Sequence, residues 1–331
     1  MWWTAAVLLL GMTAAWALGL GSGFEALAQM PKVRFAPVVL SSYWWPEWVA
    51  QEKGFFRDEL IEVELLLVPS NSKAVLALST NSVDLSAPTL DATILAALKG
   101  APMKIVGGIA PKPMYDLIAR PSHRRVADLR GTTLGIAQPR AGSTLLLQEM
   151  LGANRLQYPR DYSMLEVGDM LARVAAVKRG GVSAALVTEP ATFKALEEGL
   201  VVLDRVSSYL PDYQLNAFTV NTAWATARPQ LVVKFLKGVI RGTRWLYDGA
   251  NKEEAARILT RYTRVEPKYA ALSYDSAFRE HRALSRDASV NMAGMRKVVE
   301  LMVKRGSLAR AVDPAAFIDD SYRQQALEAL R

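Results

Sequence analysis

The chain has 331 residues, 51% of them hydrophobic, with 40 Lys and Arg against 32 Asp and Glu, a formal net charge of +8, two His and no Cys. The missing thiol excludes Cys nucleophiles, Cys-based metal sites and disulfide staples, and a chain this long can bury a sizeable core without staples. The basic excess is scattered along helical patterns, so it reads as a solvated surface and not as a nucleic-acid grip.

Met1 to Phe24 carries no charged side chain and is followed by Ala26-Leu27-Ala28, a small-x-small triplet of the kind signal peptidase cleaves after. Residues 1–28 are therefore expected to be a secretory signal, with the mature chain starting near Gln29 and working in the periplasm. An uncleaved anchor is the alternative, since about 20 apolar residues span a bilayer. No later run is long and apolar enough to do so.

Short β-rich runs then alternate with helical patterns, which argues for an α/β architecture. Val33 to Leu40 reads as a strand, and Pro46 to Lys53 as a helix stopped by Gly54. Glu62 to Val68 is a second strand, apolar enough to be expected buried on both faces. Ala74 to Leu78 is helical, Val83 to Ala87 a strand, Ala92 to Lys99 a helix and Lys104 to Ile109 a strand. Past Pro111 and Pro113 the pattern restarts, with strands at Tyr115 to Ala119 and Thr133 to Ala137 and a helix at Ser143 to Leu151. Leu171 to Lys178 is helical, and Ser183 to Val187, Leu200 to Leu203 and Leu215 to Val220 are strands. From there to Arg331 the pattern is almost wholly helical. In Leu231 to Leu246 the residues Leu231, Phe235, Val239 and Val232, Leu236, Ile240 form adjacent i, i+4 ridges behind a first-turn Pro229. Asn81 to Ser86, leading to Pro88, is echoed by Gly180 to Ala185, leading to Pro190, which suits two similar lobes.

Ligands of open α/β sheets sit beyond the carboxyl ends of the strands. The segments found there are Ser41-Ser42-Tyr43-Trp44-Trp45, Ser70-Asn71-Ser72, Pro88-Thr89-Leu90-Asp91, Gly142-Ser143-Thr144 and Thr188-Glu189-Pro190. Three consecutive aromatics cannot all enter one core, so Tyr43 or a Trp is a candidate stacking surface, with core packing as the competing use of Trp44 and Trp45. Gly142-Ser143-Thr144 opens a helix and suits an anion, or serves as an ordinary cap. Asp91 and Glu189 read as hydrogen-bond partners. No Gly-x-Ser-x-Gly elbow, His-Glu-x-x-His or Gly-rich nucleotide fingerprint occurs. His123 and His281 lie in Arg-rich, surface-like sequence, so neither is expected to be catalytic or to bind metal.

Ala50-Gln51-Glu52-Lys53-Gly54-Phe55-Phe56, Asp84-Leu85-Ser86, Asp128-Leu129-Arg130-Gly131 leading to Leu134-Gly135-Ile136, and Thr188-Glu189-Pro190 together resemble the solute-binding proteins of ABC importers, in the nitrate/sulfonate/taurine and thiamin-precursor (NMT1-like) group. The likeness runs from about Val33 to Leu327. It implies a two-lobed, type II periplasmic-binding-protein-like fold, each lobe a mainly parallel sheet flanked by helices, with two hinge crossovers. The implied division is 29–114 for the first part of lobe one, 115–216 for lobe two and 217–331 for the helical return to lobe one, with hinges near Tyr115 and Asn216. Carried over by position, the implied pocket comprises Ser41, Tyr43, Trp44, Ser70, Asn71, Thr89, Tyr115, Ser143, Thr144, Glu189 and Asn216. The implied protein is a monomer without cofactor, metal or catalytic residues, and its partners are a small-molecule ligand and an ABC permease. A small organic acid is the expected ligand: a sulfonate, carboxylate or nitrate-like anion, aromatic ones included. A thiamin-pyrimidine precursor and an exported enzyme on the same scaffold are the alternatives. The enzymes of this fold group that use a Cys-rich motif or a Cys-attached cofactor are disfavoured by the Cys-free chain.

Overall fold

A computed structural model describes residues 30–38, 41–68, 70–139 and 141–331. The expected signal at 1–28 lies outside the described residues. The strands are β1 (Lys32–Ala36), β2 (Glu62–Leu65), β3 (Leu85–Ser86), β4 (Met103–Ala110), β5 (Asp116–Ala119), β6 (Thr133–Ile136), β7 (Ser163–Glu166), β8 (Ala184–Val187), β9 (Val201–Arg205) and β10 (Asn216–Asn221). They form two five-stranded sheets, ordered β2-β1-β3-β10-β4 and β7-β6-β8-β5-β9.

In the first sheet β1 pairs in parallel with β2 and β3, while β10 is antiparallel to both β3 and β4, so β4 runs with β1 to β3. In the second, β6 is parallel to β7 and β8, and β5 is antiparallel to β8 and β9. Each sheet is thus mainly parallel with one reversed strand. Those strands, β5 and β10, are the ones entered directly after the chain crosses from one sheet to the other. Crossing without a βαβ return is what reverses them, because only a crossover helix brings a strand back in parallel.

Two local readings are corrected. Glu62 to Val68 is not buried on both faces: β2 is an edge strand, with Val63 inward, Glu62 and Glu64 exposed and Leu67 56% exposed. The β7 strand, which the sequence pattern does not announce, is the other far edge and is mostly exposed.

The C-terminal return lies on the first sheet. Helix Pro229–Leu246 buries Val232, Phe235, Leu236, Val239 and Ile240, as the ridge pattern requires. Phe235 meets Phe35 and Phe218 at ring-centroid distances of 5.5 and 5.4 Å, and stacks on Phe56 at 5.6 Å. Farther along, helices Lys252–Thr263, Pro267–Tyr274, Met292–Lys304 and Ser321–Glu328 are interrupted by a π-helical turn at Asp275–Glu280. No helix among the described residues is long and apolar enough to cross a membrane.

Candidate functional site

Behind β1 the chain turns at once. Ser41 caps the 3-10 turn Ser42–Trp44, its hydroxyl accepting from Tyr43 N at 3.4 Å. Tyr43 then reaches the crossover between the sheets, where its hydroxyl accepts from Met114 N at 3.0 Å. Trp44, expected in the pocket, instead stands edge-on to Phe35 at 5.6 Å and is 2% exposed. Trp45 points elsewhere in the same lobe, donating Nε1 to Ala255 O at 3.1 Å beside Tyr274 and Phe278. All three consecutive aromatics therefore enter one core, against the expectation that they could not: Tyr43 is 5% exposed, and helix Trp45–Glu52 begins between the two indoles and splays them apart.

The helix starts converge. Ser70 caps helix Asn71–Ser79 by accepting from Lys73 N at 3.1 Å. The Asn71 amide oxygen accepts from Thr89 N at 3.0 Å, which ties that helix start to the start of Leu90–Leu98. Across the gap, helix Gly142–Ala153 begins so close to Thr89 that a Cβ on Gly142 would lie 3.0 Å from Thr89 Cγ2. Three helix N-termini, two from one lobe and one from the other, therefore meet at one place, and each presents partial positive charge. Thr144 is buried and donates its hydroxyl to Gln138 O at 2.7 Å, so it shapes its own loop; Ser143 and Asp91 are half-buried.

Nearer the crossovers, Lys112, Met114, Tyr115, Asp116, Glu189, Arg205, Ser207 and His281 line a crevice of about 30 Å³. Asp116 accepts from Thr192 Oγ1 at 2.8 Å and pairs with Arg205 at 3.2 Å, while burial raises its pKa. Glu189 touches the other lobe twice: its carbonyl accepts from Ser42 Oγ at 3.1 Å and its carboxylate from Ser276 Oγ. Burial pushes that carboxyl up to about 7. The Tyr115 hydroxyl is likewise raised by burial. Asn216, at the start of β10, accepts from Ala110 N at 3.0 Å and so fixes the returning strand to β4.

The expected residues thus fall into three groups. Ser70, Asn71, Thr89, Ser143 and Thr144 surround the helix starts, Tyr43, Tyr115 and Glu189 the crevice, and Ser41, Trp44 and Asn216 hold backbone or core. His281 corrects its surface-like reading: it lines the crevice, with burial and then Arg205 lowering its pKa. Ser276, Lys112 and Arg205 were also not anticipated. Ser276 lies in a π-turn and His281 directly follows it; sequence carries no signal for such a turn, though such turns recur at functional sites.

A larger recess of about 520 Å³, lined by Lys32, Arg34, Asn81, Asp84, Trp224 and Arg228 among others, lies at the amino end of β1. It is at the opposite strand end from the loops just described. Among the described residues no group of three or more His, Asp or Glu is placed to hold a metal.

Two α/β lobes joined by two crossovers, with strand-end loops facing across a gap, are the architecture of a periplasmic binding protein. The family model described as NMT1/THI5 like matches residues 41–253, and the chain belongs to that family. It is 21% identical over 290 residues to YtlA of Bacillus subtilis (strain 168), named as a binding protein, covering 86% of each chain. Among solved structures, the nitrate-binding protein NrtA of Synechocystis PCC 6803 superposes with a TM-score of 0.74 at 16% identity, covering 92% of this chain and 90% of that one. The alkanesulfonate-binding protein SsuA of Xanthomonas axonopodis pv. citri, bound to MOPS, gives 0.70 at 18% identity, covering 87% and 98%. At these identities the two structures share the fold with this chain.

Proposed function

We propose that this protein is a non-catalytic receptor that captures a small anion between its lobes and hands it to the permease of an ABC importer in the inner membrane. It would work in the periplasm as a monomer, with lobe one at 29–114 and 217–331, lobe two at 115–216, and the hinge at the two crossovers. The observation that carries the anionic reading is the meeting of helix starts Asn71, Leu90 and Gly142 around Thr89. Aligned N–H groups there suit a sulfonate, carboxylate or nitrate-like group. The sulfonate and nitrate bound by structural relatives support the same choice. Closure around the ligand would favour the shut form, the form expected to dock.

A second reading takes the ligand as a neutral aminopyrimidine hydrogen-bonded to Glu189 and Asp116, two acids whose pKa values burial raises. Calorimetry with ethanesulfonate, benzenesulfonate, benzoate, nitrate and an aminomethylpyrimidine separates the two. If an anion binds, Ser143→Ala should weaken it at least tenfold, the range for a hydrogen bond to a charged group, while Glu189→Gln changes it less. The reverse ranking would favour the pyrimidine. Ligand recovered unchanged after long incubation supports a receptor, and turnover would refute it.

A further inference from the structure

We propose that closing the two lobes takes up a proton at Glu189, so that acidification below neutral pH shifts the protein toward its closed form; the purpose of this linkage rests on the receptor reading above. Glu189 follows β8 in lobe two, and both of its contacts with lobe one are neutral hydroxyls, Ser42 on its carbonyl and Ser276 on its carboxylate. Facing it from the surrounding elements are the acids Asp116 and Glu280, the bases Arg205, Lys112 and His281, and the phenols Tyr43 and Tyr115. The base that acts on it, Arg205, is shared with Asp116 at 3.2 Å. Closing therefore moves the carboxylate from water to a hydroxyl beside two other acids. That move is costly for an anion and cheap for a neutral acid.

When the lobes part, Ser276 and Ser42 withdraw and water returns to the carboxyl. With both lobes in contact with it, as in this structure, its pKa is about 7, against 4.5 for an ordinary Glu, with burial the main cause. A pKa raised in the closed form means that the closed form binds the proton more tightly. Closed stability therefore rises as pH falls through 7 and levels off below the open-state value. His281 acts in the opposite direction. Burial and Arg205 lower its pKa in the closed form, so its protonation favours opening. The direction of the profile identifies the group.

The chain has no Cys, so a clean label pair is available. Lys73→Cys, on helix Asn71–Ser79 of one lobe, and Glu166→Cys, at the end of edge strand β7 in the other, place labels at two exposed positions on opposite lobes. Energy transfer between the labels is followed in the full chain without ligand from pH 8 to 5.5. The closed-to-open ratio should rise about 30-fold, the linkage expected for a single acid moving between 4.5 and 7. Glu189→Gln, which keeps the shape and the Ser276 contact, should lose the rise: it starts close to the acid limit and keeps only the shallow fall that His281 contributes. Glu189→Met is a second uncharged replacement, and circular dichroism checks the fold of both. A flat native profile, a rise that persists in both variants, or opening of the native chain in acid would overturn the proposal. No ligand is needed, so failure of the binding panel and failure of this linkage are separate results.

Discussion

Glu47 stands in the first turn of helix Trp45–Glu52 with no exposed surface, and neither carboxyl oxygen has a hydrogen-bond partner among the described residues. Burial pushes its pKa from 4.5 up to about 8. An acid raised in the folded state binds its proton more tightly folded than unfolded. Its contribution to stability is therefore complete below about 4.5 and is lost progressively as pH rises to 8. Glu47→Met should raise stability by on the order of 2–4 kcal/mol at pH 8 and by less at pH 5, read from urea midpoints at the two pH values. An acid in a first turn reads in sequence as ordinary dipole compensation. What buries this one is non-local: its helix is covered by Pro229–Leu246, through Gly242 on Pro46, and by Lys252–Thr263, through Ala255 on Trp45. The polar residues at strand ends were legible because the loops that hold them follow apolar runs. Trp44 was not, since a run of three aromatics does not announce that a helix starting within it lets every ring turn inward.

Between elements, helix Pro229–Leu246 comes very near helix Trp45–Glu52. A Cβ on Gly242 would fall 2.3 Å from Pro46 O, a backbone atom that cannot step aside. Gly242→Ala should cost about 1–3 kcal/mol through overpacking, although alanine is the better helix former, and thermal unfolding reads it directly. The same helix shows what sequence reveals well. Its two ridges over 18 residues are a period that only an amphipathic helix produces. Strand β7 shows the opposite: with four residues, exposed and at a sheet edge, it has no buried face to impose alternation. The edge position of β2 was hidden for a related reason. Leu65, Leu66 and Leu67 look like a buried run, yet Leu67 is largely exposed.

At the scale of the molecule, charged groups bridge the lobes at the rim. Glu149, on the helix that opens at Gly142, meets Lys304 at 2.8 Å and Arg305 at 3.2 Å, and Glu197 meets Lys268 at 2.5 Å. Exposed pairs contribute about 0–1 kcal/mol each. Glu149 is the better placed, with 12% of its side chain exposed. Glu149→Gln should lower the closed fraction two- to fivefold at low salt, visible as a larger radius of gyration in small-angle scattering, and the difference should shrink at high salt. The echo of Asn81 to Ser86 in Gly180 to Ala185 and the family resemblance made two lobes legible. The pairing of distant acids and bases across the gap was not, because nothing in the spacing of Glu149 and Lys304 announces their contact.

The seat of β10 in the first sheet has a consequence for how the polypeptide is made. It lies between β3 and β4, pairing Thr219 with Ser86 and Ile105, yet more than a hundred residues of chain separate it from them. Until that late segment emerges, β3 and β4 present bare backbone along facing margins, the kind of unsatisfied border that recruits neighbouring molecules. The intervening stretch through β5 to β9 is contiguous and can complete its own sheet beforehand. Synthesis therefore leaves the first sheet unfinished for as long as the ribosome takes to reach Asn216, and that interval is when the chain is most open to misassembly.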